Sequence, residues 1–461
     1  MALEIRAEYG DFSPVAAVAT AAGPGALALV RVSGEGALEL FQAAFSRPKA
    51  LGRAPGNTVV YGWIVDPKTG VRIDEVLVSV YRAPRSFTGE DGADISCHGG
   101  GVTSRAVLEA LLAAGFREAL AGEFCFRAFI NGKIDLTRAE SVAEIIGARS
   151  ERARGNAVLR LEGALEKRIR AVKDALTLAL AELELNLDYS ELDGVGEEGS
   201  GLPARERLEA ALSDLTSLLR GYMSEKLYRE GVSVVLAGPA NAGKSSLFNA
   251  LLREERAIVT PAAGTTRDYL DGWIALDGVP VRLIDTAGLR DGDSEAERLG
   301  IERSRALIEE ADAVLFLVDG AAGRSGALER LPAVDENRLI LLWNKSDIAG
   351  PPVDKRFLAV SAVTGEGVEK LLARLKEVIE RAGAKSAPDG GGGIGGDRQK
   401  RLVERAASSL ENALALDGTG APLDIIAPEL RDAACALGEI TGENACEDIV
   451  AAMFSRFCVG K

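Results

Sequence analysis

The chain has 461 residues, 47% of them apolar and 27% charged, with a formal charge of −15. That is ordinary for a globular protein and long enough for two to four domains, each burying its own core. The negative charge argues against tight non-specific nucleic-acid binding by the whole surface and leaves room for a local basic patch or a basic partner.

The apolar stretch from Val15 to Val30 is broken by Gly23, Pro24 and Gly25, and Glu4, Glu8 and Asp11 precede it where a secretory leader needs a basic flank. No run reaches the ~18 apolar residues of a membrane helix. The five cysteines, Cys97, Cys125, Cys435, Cys446 and Cys458, are odd in number, widely spaced and without a CxxC pair. This is the reduced pattern of a cytoplasmic protein, neither a disulfide framework nor a zinc site.

Residues 1–130 mix alternating runs such as Val76 to Val80 with turn clusters such as Gly99-Gly100-Gly101, which predicts a small α+β domain. From Leu136 to about Leu187 apolar residues recur three and four apart, a helical pattern. It resumes from Arg205 to Leu219 after an acidic, Gly-rich loop at Asp193 to Gly201. This first helical part is assigned to 131–228. Between 229 and 384, β-rich runs (Val232–Ala237, Val281–Asp285, Ala313–Val318, Leu339–Trp343, Phe357–Val360) alternate with helical stretches, as in a parallel α/β sheet. Asp277-Gly278 predicts a hairpin and hence one antiparallel strand. The run from Asp389 to Gly396 is a flexible linker by composition. Beyond it Leu402, Ala406, Leu410 and Leu414 restart the helical period, so 385–461 is a second helical part. Helical patterns on both sides predict that the α/β region is inserted into a helical domain whose two parts pack together.

Gly238-Pro-Ala-Asn241-Ala242-Gly243-Lys244-Ser245 fits GxxxxGK[ST], after a strand and before the helical run that starts at Ser246. Backbone amides of such a loop turn inward around phosphates, Lys244 supplies a charge and Ser245 a hydroxyl to Mg²⁺. Asp285-Thr286-Ala287-Gly288 ends the next apolar strand; its Asp would hold the metal through water and the Gly288 amide would touch the γ-phosphate. Asn344-Lys345-Ser346-Asp347 selects the base, because one carboxylate accepts from both the ring N–H and the exocyclic amine of guanine, a donor pair adenine lacks. Ser361-Ala362 matches the base-contacting loop of small G proteins. Where Ras-like proteins carry glutamine, this chain has Leu289, which cannot orient a water molecule. The polar residues of Arg290–Arg298 and of Gly264-Thr265-Thr266-Arg267-Asp268 are the candidates, one of those threonines being needed on Mg²⁺.

With these residues in place the chain resembles, along its whole length, the MnmE (TrmE) family of tRNA-modification GTPases. The resemblance is carried by Ser86-Phe-Thr-Gly-Glu-Asp91, His98-Gly-Gly100, Gly122-Glu-Phe124, Arg127-Ala-Phe129 and Asn131-Gly-Lys-Ile-Asp-Leu136. Asn241 to Ser246, Gly264 to Asp268, Asp285 to Arg290 and Phe457-Cys-Val-Gly-Lys461 carry it further. It implies a small α+β N-terminal domain for folate binding and dimerisation, a discontinuous helical domain and a Ras-like P-loop GTPase domain. It also implies an enzyme that adds an aminomethyl-type (carboxymethylaminomethyl) group at C5 of the wobble uridine of certain tRNAs. Its partner would be the FAD protein MnmG (GidA), in a heterotetramer, and its carbon source a tetrahydrofolate derivative, 5,10-methylene or 5-formyl.

By the same resemblance, Arg31, Asp94, Lys133 and Lys461 match folate-binding positions. Asp94 departs from the family, which usually places Glu there. GTP or GDP would be held by Asn241–Ser246, Thr260, Thr265, Thr266, Asp285–Gly288, Asn344, Lys345, Asp347, Ser361 and Ala362. Ser245 and Thr266 match Mg²⁺ ligands, and Asn241, Thr260, Ala262 and Thr265 match positions around a K⁺ ion that serves paired GTPase domains of a homodimer. Glu297, nine residues after Gly288, matches the residue that orients the attacking water, and Arg267 and Asp268 are further catalytic candidates. Cys458 falls on the family's C-terminal cysteine and is either a nucleophile or an inert thiol, since a thiolate needs an activating environment. His98, the only histidine, is either a general base or part of a glycine turn. A regulatory GTPase scaffold in ribosome assembly is a second class of reading, but it calls for an RNA-binding module, and there are no RNP aromatics and no GXXG in a basic surround. A folate enzyme with a vestigial nucleotide domain is a third, at odds with four intact nucleotide motifs.

Overall fold

The computed structural model describes residues 9, 11–21, 23–193, 202, 205–254, 270–286, 305–322, 334–352, 354–381, 392–445 and 447–460. They form two compact units. The first comprises Met1–Ala143, Leu161–Leu208 and Ser408–Lys461; the second comprises Glu144–Arg160 and Glu209–Ala407.

In the first unit β1 (Val15–Val18), β2 (Leu27–Ser33), β3 (Thr58–Val65), β4 (Arg72–Tyr81), β5 (Gly92–His98) and β6 (Arg117–Glu118) make one sheet. Their order is β3-β4-β5-β2-β1-β6. All pairs are antiparallel except β1 with β6. The alternation read in Val76 to Val80 extends along β4: Asp74, Val76, Val78 and Val80 turn inward, Glu75, Leu77 and Ser79 outward. The inward face packs on helices α1 (Ala37–Phe41), α2 (Pro48–Arg53) and α3 (Gly101–Ala113), with Val30, Phe41, Ile64, Ile95 and Leu111 fully buried. Each such side chain contributes roughly 1.5–3 kcal/mol on burial.

One position on β3 admits only glycine. A Cβ on Gly62 would lie 2.4 Å from Cζ of the buried Phe45 ring. Gly62→Ala is therefore expected to destabilise this unit by about 1–3 kcal/mol through overpacking, read as a lowered thermal midpoint.

Helix α4 (Glu123–Ile130) brings two of the sequence motifs together. The guanidinium of Arg127, 1% exposed, donates to Glu123 at 2.8 Å and to Glu90 at 3.2 Å, and Glu90 also accepts from Ser33. The buried cation is thus fully paired, as burial requires.

Helices α5 (Leu136–Gly147), α6 (Glu151–Leu161), α7 (Ala164–Asp193) and α8 (Arg205–Glu230) follow. After the α/β region come α11 (Asp397–Gly418), α12 (Leu423–Thr441) and α13 (Glu447–Phe454). Within the first unit the early and late helical parts do pack on each other: Lys173 on α7 pairs with Glu443, Arg431 on α12 with Glu184 at 2.7 Å, and Arg205 with Asp417 at 2.6 Å. No helix among the described residues is long and apolar enough to cross a membrane.

The second unit is built on β7 (Val232–Ala237), β8 (Leu270–Leu276), β9 (Val279–Asp285), β10 (Ala313–Asp319), β11 (Leu339–Asn344) and β12 (Phe357–Ala359), in the order β12-β11-β10-β7-β9-β8. Only β8 is antiparallel, and it turns into β9 at Asp277 and Gly278, whose φ angles of 49° and 79° are those of the tight hairpin the dipeptide predicts. Helices α9 (Lys244–Glu254) and α10 (Val368–Arg381) flank the sheet. Strand β7 lies between β10 and β9, so the loop that follows it opens at the carboxyl edge of the sheet, where the strand order reverses and open α/β sheets bind ligands.

The glycine run is not the flexible linker its composition predicts, at least from residue 392 onward. Ile394 is fully buried, Arg160 donates to the Gly393 carbonyl at 3.2 Å, and Gly395 N–H donates to Gln399 at 2.8 Å. Arg160 is itself buried between Glu144 and Glu225, at 2.7 and 3.1 Å. Glycine here lets the backbone approach these side chains: a Cβ on Gly395 would fall 2.3 Å from Glu144 Oε1.

Candidate functional site

Strand β7 delivers the chain into the phosphate loop, and α9 carries it away, its first-turn amides and dipole facing the loop. Asn241 has φ 63° and Gly243 φ 90°. A Cβ at position 243 would lie 2.2 Å from the Asn344 amide nitrogen, so the close approach of the base loop requires glycine there. The Lys244 ammonium, on a residue 6% exposed, donates to the Gly238 and Pro239 carbonyls at 3.1 and 3.0 Å and so stays within the loop it serves. Ser245 Oγ donates to Asp285 Oδ2 at 2.6 Å, which joins the start of α9 to the end of β9. A hydroxyl and a carboxylate meeting beside a phosphate loop are the hard oxygen donors that suit Mg²⁺. Thr286 lies next to them, but its hydroxyl donates back to the Leu236 carbonyl at 2.8 Å, inside the sheet.

The Asn344–Asp347 segment, the candidate base-reading end, is tied to the candidate phosphate end. Asn344, 1% exposed, donates through Nδ2 to the Ala242 carbonyl at 2.7 Å and accepts from the Ala362 amide at 3.4 Å. Ser361 Oγ donates to Asp347 Oδ1 at 2.7 Å, aiming the carboxylate that would read guanine. Lys345 takes φ 64° and points its ammonium at Asp319 Oδ2, 2.7 Å away.

Asp319 is absent from the sequence motifs, although it directly follows an apolar strand run at the sheet's carboxyl edge, the signal that would have found it. Burial alone would raise its carboxyl pKa, but the Lys345 hydrogen bond, the Ala321 amide and the Lys345 charge more than offset this and hold it below the usual carboxylate range. The pair's contribution is therefore complete above the ordinary carboxylate pKa and is lost as pH falls through the lowered one. Asp319→Asn, which releases the Lys345 side chain beside the base-reading carboxylate, is expected to weaken GTP binding roughly fivefold at neutral pH, measured by nucleotide titration.

In the first unit a second cluster forms around Arg31. Its guanidinium grips Asp94 through two bonds, at 2.8 and 3.2 Å, so the shortened carboxylate still reaches a bidentate pair. The remaining nitrogen donates to the Gly460 carbonyl at 3.4 Å, and the Phe124 ring lies 5.7 Å from the cation. Tyr81, which sequence reasoning missed, stands at the same spot: burial and the Asp94 charge push its phenol above the ordinary value. Lys133 Nζ donates to the Pro84 carbonyl at 2.9 Å. The C-terminal segment reaches the cluster because Gly122 N–H donates to the Cys458 carbonyl at 3.3 Å and Ala121 bridges to Val459. A bidentate Arg–Asp pair beside an aromatic ring can receive a flat, polar heterocycle.

Cys458 and Cys435 are exposed free thiols, and Cys97 and Cys125 are buried ones. His98 Nδ1 lies 2.7 Å from Asp74 Oδ1 while its backbone amide donates to Oδ2; the Asp74 hydrogen bond and charge raise its pKa. Thr260, Ala262, Thr265, Thr266, Arg267, Asp268, Ala287, Gly288, Glu297 and Lys461 lie outside the described residues.

Comparison with known proteins agrees with this arrangement. The family model described as "GTP-binding protein TrmE N-terminus" matches residues 14–133, and that described as "MnmE helical domain" matches residues 136–458. A Thermus thermophilus protein named tRNA modification GTPase MnmE is 43% identical over 448 residues, covering 97% of this chain and 99% of its own. A Carboxydothermus hydrogenoformans protein of the same name is 40% identical over 462 residues, with 97% and 99% covered. One from Treponema denticola is 38% identical over 475 residues, with 98% and 99% covered. On these matches, which span nearly the full length of both partners, the chain belongs to the MnmE (TrmE) family of tRNA modification GTPases.

Proposed function

We propose that this GTPase, as a cytoplasmic homodimer, joins an FAD-dependent partner of the MnmG (GidA) class. Together they add an aminomethyl-type, carboxymethylaminomethyl group to C5 of the wobble uridine of certain tRNAs. The carbon would come from a tetrahydrofolate derivative, the 5,10-methylene or 5-formyl form, bound by Arg31, Asp94, Lys133 and Lys461. The observation that carries this reading is the bidentate Arg31–Asp94 pair linked to the Gly460 carbonyl, in a chain that also holds a complete phosphate loop.

In the nucleotide half, backbone amides from Asn241 to Ser245 hold the phosphates, Lys244 balances their charge and Asp347 selects guanine. Ser245 and Thr266 would hold Mg²⁺, with Asp285 acting through water. Asn241, Thr260, Ala262 and Thr265 would surround K⁺. The two cations, when bound, spread the charge that builds on the phosphate oxygens. Glu297 would orient the attacking water in place of the glutamine that Leu289 replaces, with Arg267 and Asp268 beside it.

Two measurements test the reading. GTP turnover is expected to be at least about tenfold faster in potassium than in sodium at equal ionic strength; equal rates would remove the potassium step. Expression in a strain lacking its own MnmE-family gene is expected to restore the modified wobble uridine, seen by mass spectrometry of tRNA nucleosides. Unmodified uridine, with the protein present and hydrolysing GTP, would remove the modification role.

A further inference from the structure

Neither the nucleotide site nor the Arg31 cluster uses the outer edge of the N-terminal sheet. Strand β3 ends that sheet, and Arg47, Lys49, Arg53, Arg72 and Arg85, all exposed, lie in the segments that border it. The chain as a whole carries 69 acidic against 54 basic residues. Some surface arginines elsewhere take a carboxylate partner, as Arg105 does with Glu109, Arg154 with Glu151 and Arg374 with Glu377. The exposed Arg152, Arg220, Arg253 and Arg456 stand apart from one another along the chain without one among the described residues. Among the described residues none of the five edge cations has a carboxylate within 4.0 Å.

Local contacts hold the strip in place. Arg47 donates to the Tyr61 carbonyl at 3.1 Å, on the side of β3 away from β4, where Phe45 bridges to Ile64 and the Ser46 amide donates to the Trp63 carbonyl at 2.9 Å. Lys49 and Arg53 follow on α2, whose Gly52 carbonyl is bound by Arg82 at 2.9 Å. Arg85 turns back to bridge Arg82. At the other end the Arg72 guanidinium lies 4.9 Å from the centre of the Trp63 ring. Tyr61, 47% exposed, shares the outward face with Val59, Trp63 and Leu77, and its hydroxyl donates to Glu75.

We propose that this edge is an RNA-binding surface and that its occupant is the substrate tRNA, an assignment that rests on the modification activity proposed above. A cluster of cations without carboxylate partners on an acidic protein marks where a polyanion gains by releasing counterions. The eight residues of β3 span roughly 25 Å, enough for several successive phosphates. The exposed Tyr61 ring, with the partly buried Trp63 next to it and guanidinium groups alongside, offers unpaired bases a stacking platform, which an acidic protein or a lipid headgroup would not use.

The test is titration of tRNA with the full chain between about 50 and about 200 mM salt. The triple variant Lys49→Ala, Arg53→Ala, Arg72→Ala is expected to bind about tenfold or more weakly at the low end. Its slope of log affinity against log salt should fall by about three. The control triple Arg105→Ala, Arg154→Ala, Arg374→Ala changes the net charge equally and should leave both quantities as in the wild type. GTP turnover and thermal midpoint should be unchanged in both variants. Equal losses from the two triples, no loss from the strip triple, or no tRNA binding by the wild type at low salt would each overturn the assignment. So would a strip triple that loses affinity for phosphatidylserine vesicles but keeps it for tRNA. A strip that binds tRNA in a protein that leaves wobble uridine unmodified would keep this surface and remove the modification role instead.

Discussion

Lys244→Ala is expected to weaken GTP binding by about two to three orders of magnitude while the protein remains folded. The ammonium is almost wholly buried and sits between two loop carbonyls. It is therefore already desolvated and positioned before any phosphate arrives, and no other described cation hydrogen-bonds to that loop. Removing one partner from a buried, hydrogen-bonded charge pair costs about 2–5 kcal/mol, or about 1.5 to 3.5 orders of magnitude, and the stated loss lies in the middle of that span. Lys244→Arg is not expected to rescue binding, because a planar fork cannot replace a point charge in the space bounded by Gly238 and Pro239. Titration with a fluorescent GTP analogue, alongside a thermal melt, measures both. Affinity within about threefold of the wild type would contradict the role given to Lys244.

The second large effect is a change of base. In Asp347→Asn the Ser361 hydroxyl can still donate to the amide oxygen, so the side chain keeps its aim. The other terminus becomes an N–H donor, which repels the guanine amine and meets the C2 carbonyl of xanthine. GTP affinity should fall a hundredfold or more, with XTP becoming the preferred nucleotide, because a site built around one hydrogen-bond pattern rejects its complement strongly. Loss of both nucleotides together would show instead that the loop had collapsed.

How much of this was legible in the sequence follows the distance over which each feature is encoded. The loop proposed to hold the phosphates is a run of adjacent residues, so its spacing alone suggests that role. The strands Val232–Ala237 and Leu339–Asn344 read directly as short apolar runs because both faces of a parallel sheet are covered. The Asp277-Gly278 hairpin is equally local. Asp319 escaped because its partner Lys345 lies 26 positions away and either residue alone looks like solvated surface.

The same holds for the link from Arg31 to Gly460, which joins residues 429 positions apart. Only the family resemblance, which marked Arg31 and Lys461 as positions of one site, pointed to a meeting of these two chain ends. The glycine run misled for a different reason. Composition reports how freely a segment could move, whereas Ile394 in its middle is an apolar anchor that finds a core. The basic strip beside β3 was hidden by averaging, since a net charge of −15 says nothing about which cations lack carboxylate partners.

The central claim is that one site holds a triphosphate through the loop around Lys244 and chooses guanine through Asp347. The most direct test is displacement of a bound fluorescent GDP analogue by GTP and by ATP in parallel. GTP is expected to displace it at near-equimolar concentration, while ATP should fail at roughly a thousandfold excess. Displacement by ATP at the same concentration as GTP would contradict the account.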